Sequence, residues 1–230
     1  MKPDVQIAST ESEWVKLASS TIISQSIETI QKRRLFSLVL SGGSTPEPVY
    51  QSLSSPKNRG LLDWNRIYIF FGDERCVPPT DKASNYKMAR ETLLDSIPIP
   101  EENIFRMRGE IEPEEAAMAY ESEINHFFAG KEKRFDTILL GLGDDGHTAS
   151  LFPNTPGLTE SHRWVIPNEN PYSNSMRLTL TYPAINSARQ IVFLVKGEKK
   201  SKIVADIIQN QDGSPGYPAQ RVRGKEDSPK

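Results

Sequence analysis

The chain has 230 residues, with 28 Lys and Arg against 30 Asp and Glu and a net charge of −2. That balance excludes a broadly basic nucleic-acid binder, and a lone cysteine, Cys76, excludes an internal disulfide framework or a cysteine-built zinc finger. No run approaches the roughly 18 apolar residues of a membrane-spanning helix, while 37% hydrophobic and 25% charged residues are the mix of a globular chain able to bury a full core.

The first residues, MKPDVQIASTESEW, carry no apolar stretch of the kind a secretory signal needs, so a reducing, cytoplasmic setting is expected. Residues 11–31 predict a helix. Thr10 with Glu13 fits a capping box, and Trp14, Leu17, Ala18, Thr21, Ile22 and Ile30 form an apolar stripe. Residues 36–40, FSLVL, have the continuous apolar character of a buried parallel strand. They run into SGGSTP, 41–46, where Pro46 suits the start of a helix reaching residue 54.

The pattern recurs. Residues 67–71, IYIFF, read as a strand followed by a long polar loop at 72–79, then a helix at 86–94. A brief strand is expected at 103–106 and an amphipathic helix at 113–128. Residues 137–140, TILL, are a third apolar strand. Later strands fall at 164–166, 177–181 and 190–195, and a last helix at 199–209. Strands alternating with helices specify an α/β fold with a mainly parallel sheet. One domain is expected over residues 1–222, with 223–230 a flexible tail.

Three apolar strands end in loops dense with glycine and reactive side chains. Ligands bind outside the carboxyl ends of strands in open α/β sheets, so neighbouring strands would bring the three loops to one crevice. In the first loop Gly42 and Gly43 allow close backbone approach, free N–H groups at a helix start favour an anion, and Ser41, Ser44 and Thr45 add hydroxyls. No Gly-Lys-Ser/Thr follows, so it is not a Walker loop, and Pro46 stands where a nucleophile elbow needs glycine. The second loop holds Asp73, Glu74 and Arg75, with Ser84 and Asn85 beyond; Arg75 has the planar fork that grips phosphate. The third, GLGDDGHTASLFP at 141–153, formally matches a dinucleotide fingerprint, but Pro153, Pro156 and Gly157 stop the long helix that fingerprint should open. Its His147 is a candidate general base, with Asp144 and Asp145 beside it to orient the ring. No second histidine stands at metal-ligand spacing. His126 and His162 receive no role. Arg177 and the Lys199, Lys200 and Lys202 group could complete a pocket for an anion or simply face solvent.

Taken together, LSGGSTP (40–46), FGDERCVP with SNY (71–78 and 84–86), LGLGDDGHTASLFP (140–153), RLTLTYPAIN (177–186), FLVKGEKK (193–200) and PAQRV (218–222) resemble the 6-phosphogluconolactonase family in content and order. The related glucosamine-6-phosphate deaminases look similar in the glycine-rich loops, but the His-Thr-Ala-Ser-Leu-Phe-Pro and Asp-Glu-Arg pieces here favour the lactonase. The resemblance implies a Rossmann-like fold and hydrolysis of 6-phospho-D-glucono-1,5-lactone to 6-phosphogluconate in the oxidative pentose phosphate pathway, without metal or organic cofactor. It implies His147 as the base that activates water and Asp145 as its support. Ser41, Gly42, Gly43, Ser44, Thr45, Asp73, Arg75, Gly143 and Lys200 would hold substrate, with Asn85 and Arg177 nearby. After PAQRV the chain departs from the family's usual Trp- and Asp-containing ending. The alternatives are an amino-sugar-phosphate isomerase/deaminase and a non-catalytic sugar-phosphate sensor. The expected partner is a small sugar-phosphate lactone, not nucleic acid or membrane, with a monomer slightly favoured.

Overall fold

The capping box read from Thr10 and Glu13 is formed. Glu13 N–H donates to Thr10 Oγ1 at 3.2 Å, and the Glu13 carboxylate accepts from Thr10 N–H at 3.3 Å, which satisfies two of the donors a helix start leaves open. It opens α1 (Glu11–Arg33), the first element of a computed structural model that describes residues 3–209 and 216–224. Then follow β1 (Phe36–Leu40), α2 (Glu47–Ser54), α3 (Pro56–Arg59), β2 (Ile67–Phe71), β3 (Asp73–Arg75), α4 (Asn85–Thr92) and α5 (Pro113–Phe127). The chain continues through β4 (Thr137–Leu140), β5 (Val165–Asn170), β6 (Ser175–Leu180), α6 (Tyr182–Ser187), β7 (Gln190–Phe193) and α7 (Ser201–Gln209).

The main sheet has the order β2-β1-β4-β7, all parallel. β1 is buried at every residue. Its side chains alternate between two cores, as the strand period of two requires. Phe36, Leu38 and Leu40 pack with Ile22 of α1, Val49 and Tyr50 of α2, and Ala89 of α4. Val39 packs on the other face with Phe70, Ile138 and Leu140 against Ala117, Tyr120 and Ile124 of α5. Each such side chain withdrawn from water contributes about 1.5–3 kcal/mol, so the two helical layers clamp the sheet from both sides.

A second, smaller sheet was not legible. Residues 72–79 read as a polar loop, yet Asp73–Arg75 is a strand of an antiparallel sheet ordered β3-β6-β5. A charged triplet pairs there because its middle residue, Glu74, turns inward and meets hydrogen-bond donors instead of water. Val165, Leu178 and Leu180 of this sheet join the α5 core. The brief strand expected at 103–106 is a 3-10 turn at Glu101–Asn103 followed by a single parallel bridge from Ile104 to Ile69. The last helix begins at Ser201, after a 3-10 turn at Glu198–Lys200. The short helix Tyr182–Ser187 lies outside the elements that the sequence pattern predicts. Of the tail expected at 223–230, residues 225–230 lie outside the described residues.

At the amino ends of the strands a buried carboxylate ties α1 to β1 and β4. Asp136 accepts from Ser37 N–H at 2.8 Å and Ser37 Oγ at 3.1 Å, pairs with Arg33, and lies 3.7 Å from Arg189 Nε. Asp136→Ala strands these donors in a buried site, so it should cost about 3–5 kcal/mol of unfolding free energy. Urea denaturation measures that loss, and activity per folded molecule should stay near wild type.

Candidate active site

In sequence order the chain passes from β1 to β2 on one side and later to β4 on the other. That reversal splays the connections after β1 and β4 apart at their carboxyl ends and opens a crevice. A cleft of about 190 Å³ lies there, lined by Ser41, Gly42, Gly43, Thr45, Asp73, Arg75, Asn85, Gly141, Leu142, Gly143, His147, Thr148 and Ala149. All three predicted loops contribute to it.

The first loop is held at its root by Tyr50. Ser41 N–H donates to Tyr50 Oη at 2.9 Å, and that hydroxyl donates back to the Ser41 carbonyl at 2.8 Å. Burial pushes the Tyr50 phenol well above its ordinary range, so it stays a neutral donor. Gly43 has φ of +81°, a left-handed conformation that glycine adopts without strain. Gly42 makes room for Asn85, whose amide occupies the space where a Cβ would stand. The N–H groups of Gly42, Gly43, Ser44 and Thr45 donate to no acceptor among the described residues and lie ahead of α2, a receptor for an anion.

The second loop depends on Glu74. Its carboxylate is 2% exposed and accepts from Arg75 N–H at 2.7 Å, Asn85 N–H at 2.7 Å, Tyr86 N–H at 2.8 Å and Ser84 Oγ at 3.0 Å. Burial raises its pKa, and these donors oppose the rise. The negative charge also caps the amino end of α4. By joining β3 to α4 it sets Asn85 against Asp73. Asn85 Nδ2 donates to the Asp73 carbonyl at 2.9 Å and to Asp73 Oδ1 at 3.2 Å, while Ser150 Oγ donates to Asp73 Oδ2 at 2.7 Å. Arg75 is fixed through the Ala83 carbonyl and stands opposite Arg177 in the antiparallel register. Neither arginine has an ion-pair partner among the described residues. Burial, and then the charge of Arg75, lowers the Arg177 pKa. Two like charges side by side disfavour each other, and an anion between or beside them relieves that repulsion.

The third loop carries the reactive pair. His147 Nδ1 lies 2.5 Å from Asp145 Oδ1, and the His147 N–H donates to the same oxygen at 3.1 Å. Asp145 Oδ2 accepts from the Tyr172 hydroxyl at 2.7 Å. Burial works against the Asp145 charge, but the hydrogen bonds from the His147 ring, Tyr172 and the His147 backbone outweigh it and hold the carboxyl well below the usual range. With Asp145 ionised, the ring donates to it from Nδ1, which leaves Nε2 as the nitrogen not engaged by Asp145. Phe152 backs the imidazole at 4.7 Å between ring centroids. Gly143 leaves no alternative: a Cβ there would fall 2.1 Å from His147 Nδ1 and 2.6 Å from Asp145 Oδ1. From the far side Ala219 N–H donates to the Gly146 carbonyl at 2.9 Å, and Tyr217 covers Gly146.

Four expected residues are not part of the cleft lining: Asp145 acts on it through His147, and the other three stand at its margins. Ser44 and Arg177 flank it, and Lys200 pairs with Asp144 at 2.5 Å, directed at the exposed shoulder of the third loop. The sequence reading missed Tyr50, Ser150 and Tyr172, each of which reaches its partner across an interval that no local motif marks. A wider depression of about 490 Å³ lies along residues 156–163. Its Arg163 is engaged by Glu114 and Glu121, and it shares no residue with the cleft. Among the described residues no group of three or more His, Cys, Asp or Glu is arranged to hold a metal ion, and no helix is long and apolar enough to cross a membrane.

Comparison with known proteins identifies the family and the fold. Residues 9–229 match the family model described as glucosamine-6-phosphate isomerases/6-phosphogluconolactonase. The chain is 40% identical over 227 residues to a 6-phosphogluconolactonase of Synechocystis sp., covering 97% of this chain and 92% of that protein. Among solved structures, 6-phosphogluconolactonase from Trypanosoma cruzi superposes with a TM-score of 0.84 at 31% identity, covering 97% of this chain and 92% of its own. The enzyme from Thermotoga maritima gives 0.82 at 31% identity, covering 93% and 92%.

Two outcomes follow from the third loop. Gly143→Ala displaces the His147–Asp145 pair and should lower turnover by about 10²-fold with an unchanged far-ultraviolet circular dichroism spectrum. The Asp145 carboxyl titrates lower in the folded than in the unfolded chain. Its contribution to stability is therefore complete above the unfolded carboxylate value of about 4 and is lost as pH falls through the folded one. Urea midpoints followed from about pH 7 to about pH 2 should decline less steeply in Asp145→Asn than in wild type; parallel declines would contradict the assignment.

Proposed function

The chain belongs to the glucosamine-6-phosphate isomerase/6-phosphogluconolactonase family, and from that premise we propose that it is a 6-phosphogluconolactonase. It hydrolyses 6-phospho-D-glucono-1,5-lactone to 6-phosphogluconate in the oxidative pentose phosphate pathway. The observation that carries the reading is the Asp145–His147 pair opening onto a cleft whose other walls are an anion-receptive backbone turn and Arg75.

A δ-lactone is an ester strained toward opening, so a positioned base and charge stabilisation suffice for its hydrolysis. Asp145 holds the imidazole by Nδ1–H, and Nε2 takes a proton from water as the water oxygen attacks the lactone carbonyl carbon. The new C–O bond places negative charge on the former carbonyl oxygen. When that charge returns, the bond from the carbonyl carbon to the ring oxygen breaks, and the imidazolium gives its proton to the departing oxygen. One positioned base contributes about 10²–10⁴-fold, and each donor aimed at the oxyanion about 10²–10³-fold. The phosphate, remote from the reacting carbon, is assigned to Arg75 and the N–H groups of residues 42–45, with Arg177 adding positive potential behind Arg75. Fixing it there turns the lactone face toward His147. Asn85 is assigned chiefly to shaping, because its Nδ2 is spent on Asp73 and its side chain fills the space left by Gly42; its buried Oδ1 has no hydrogen-bond partner among the described residues. Lys200 reaches substrate only by leaving Asp144.

Freshly prepared lactone, assayed above its spontaneous hydrolysis with EDTA present, should be turned over rapidly by wild type. His147→Gln should lose about 10²–10⁴-fold in kcat, while Arg75→Lys should mainly raise KM, because an ammonium cannot replace the fork. A folded wild type that releases ammonia from glucosamine 6-phosphate and leaves the lactone untouched would overturn the reading.

A further inference from the structure

The Tyr172 side chain is 67% exposed, at the tip of the hairpin between β5 and β6, yet its hydroxyl is not spent on solvent. It crosses to the third loop and donates to Asp145 Oδ2 at 2.7 Å. The other oxygen of that carboxylate receives the His147 ring N–H and backbone N–H. The three groups therefore form one chain of hydrogen bonds, Tyr172 Oη to Asp145 to His147, with the imidazole lone pair at the cleft end. A ring contact runs in parallel: Phe152 meets His147 at 4.7 Å and lies nearly perpendicular to the Tyr172 ring, at 6.4 Å and 83°. The hairpin itself is built to hold this tip. Tyr172 N–H donates to Asn170 Oδ1 at 2.9 Å, and Asn174 takes a left-handed φ of 49°.

We propose that Tyr172 is a positioning residue for the reaction, acting on His147 through Asp145. The proposal rests on the lactonase reading for its kinetic consequence, although the hydrogen-bond chain exists without substrate. A carboxylate bound at only one oxygen rotates about its terminal torsion. A donor on the second oxygen removes that freedom and keeps Oδ1 in line with Nδ1. The donor also draws charge from the carboxylate, so Asp145 stabilises the imidazolium less than an unshared carboxylate would. Tyr172 thus sharpens the geometry of the base while holding its proton affinity down, which keeps more of it free to accept a proton from water. The other charged groups around the pair are Asp144 with its Lys200 partner, Lys199 on the outer shoulder, and Asp73 and Arg75 on the shared cleft. None of them touches Asp145 Oδ2.

The test is Tyr172→Phe, which keeps the ring and deletes only the donor, compared with wild type, Asp145→Asn and the double variant. Lactone turnover should fall about three- to tenfold in kcat, with KM within about twofold of wild type and the acid limb of the pH–rate profile moved to higher pH. In the Asp145→Asn background the same change should have almost no further effect on kcat, since the route to His147 is already broken. A wild-type kcat and pH profile in Tyr172→Phe, or an equal loss with and without Asp145, overturns the proposal. A second readout needs no turnover. The chain has three histidines, and His147→Gln assigns the His147 imidazole signals in nitrogen-15 spectra. Tyr172→Phe should move the His147 titration to higher pH and leave those of His126 and His162 in place. If wild type fails to hydrolyse the lactone but that shift occurs, the lactonase reading fails and the coupling stands. If the lactone is hydrolysed and neither the spectra nor kcat respond, the coupling fails alone.

Discussion

The confinement of β1 between two parallel neighbours, buried at every residue, is the constraint on which the rest of the structure depends. With β2 on one side, β4 on the other and a helical layer on each face, the chain leaving β1 can turn only outward at the carboxyl edge of the sheet. The chains leaving β2 and β4 emerge beside it. Residues far apart in sequence, Gly42, Arg75 and His147, are brought to one cleft by hydrophobic packing that involves none of them.

Rigidity at the cleft is then supplied by polar groups that the core encloses. Tyr50 closes the root of the first loop, Glu74 binds the second to the start of α4, and Asp145 fixes the imidazole of the third. Each is a buried or half-buried group with its hydrogen bonds made, so the cost of burying it is offset and its position is defined. Charge is distributed accordingly. Arg75 and Arg177 lie side by side near unengaged backbone N–H groups, while the carboxylates are held by donors of their own. The resulting field favours a bound anion at one end, while at the other Asp145 holds the His147 ring in a fixed orientation, the two needs of a base acting on a phosphorylated ester.

The sequence was legible where hydrophobic pattern and glycine-rich turns coincide. FSLVL, IYIFF and TILL are continuous apolar runs that only a doubly covered parallel sheet explains, and each ends where the reactive residues begin. It was opaque where structure arises from long-range satisfaction of polar groups. Asp73–Arg75 has no apolar alternation, and its strand exists because Glu74 finds donors ten and more residues away in Ser84, Asn85 and Tyr86. Tyr172 stands 27 residues from the carboxylate it serves, in a polar hairpin with no motif. Lys200 was read with the pocket because of its motif, whereas its position places it on Asp144. Local spacing thus identifies the reacting groups, and only the packed chain identifies what orients them.

The most direct measurement is a crystal structure of the protein with 6-phosphogluconate bound. The phosphate should lie on Arg75 and the N–H groups of residues 42–45. The carboxylate carbon should lie about 3–3.5 Å from a water or product oxygen that His147 Nε2 also reaches. A product seated with its carboxylate away from His147, or its phosphate outside this cleft, would contradict that placement.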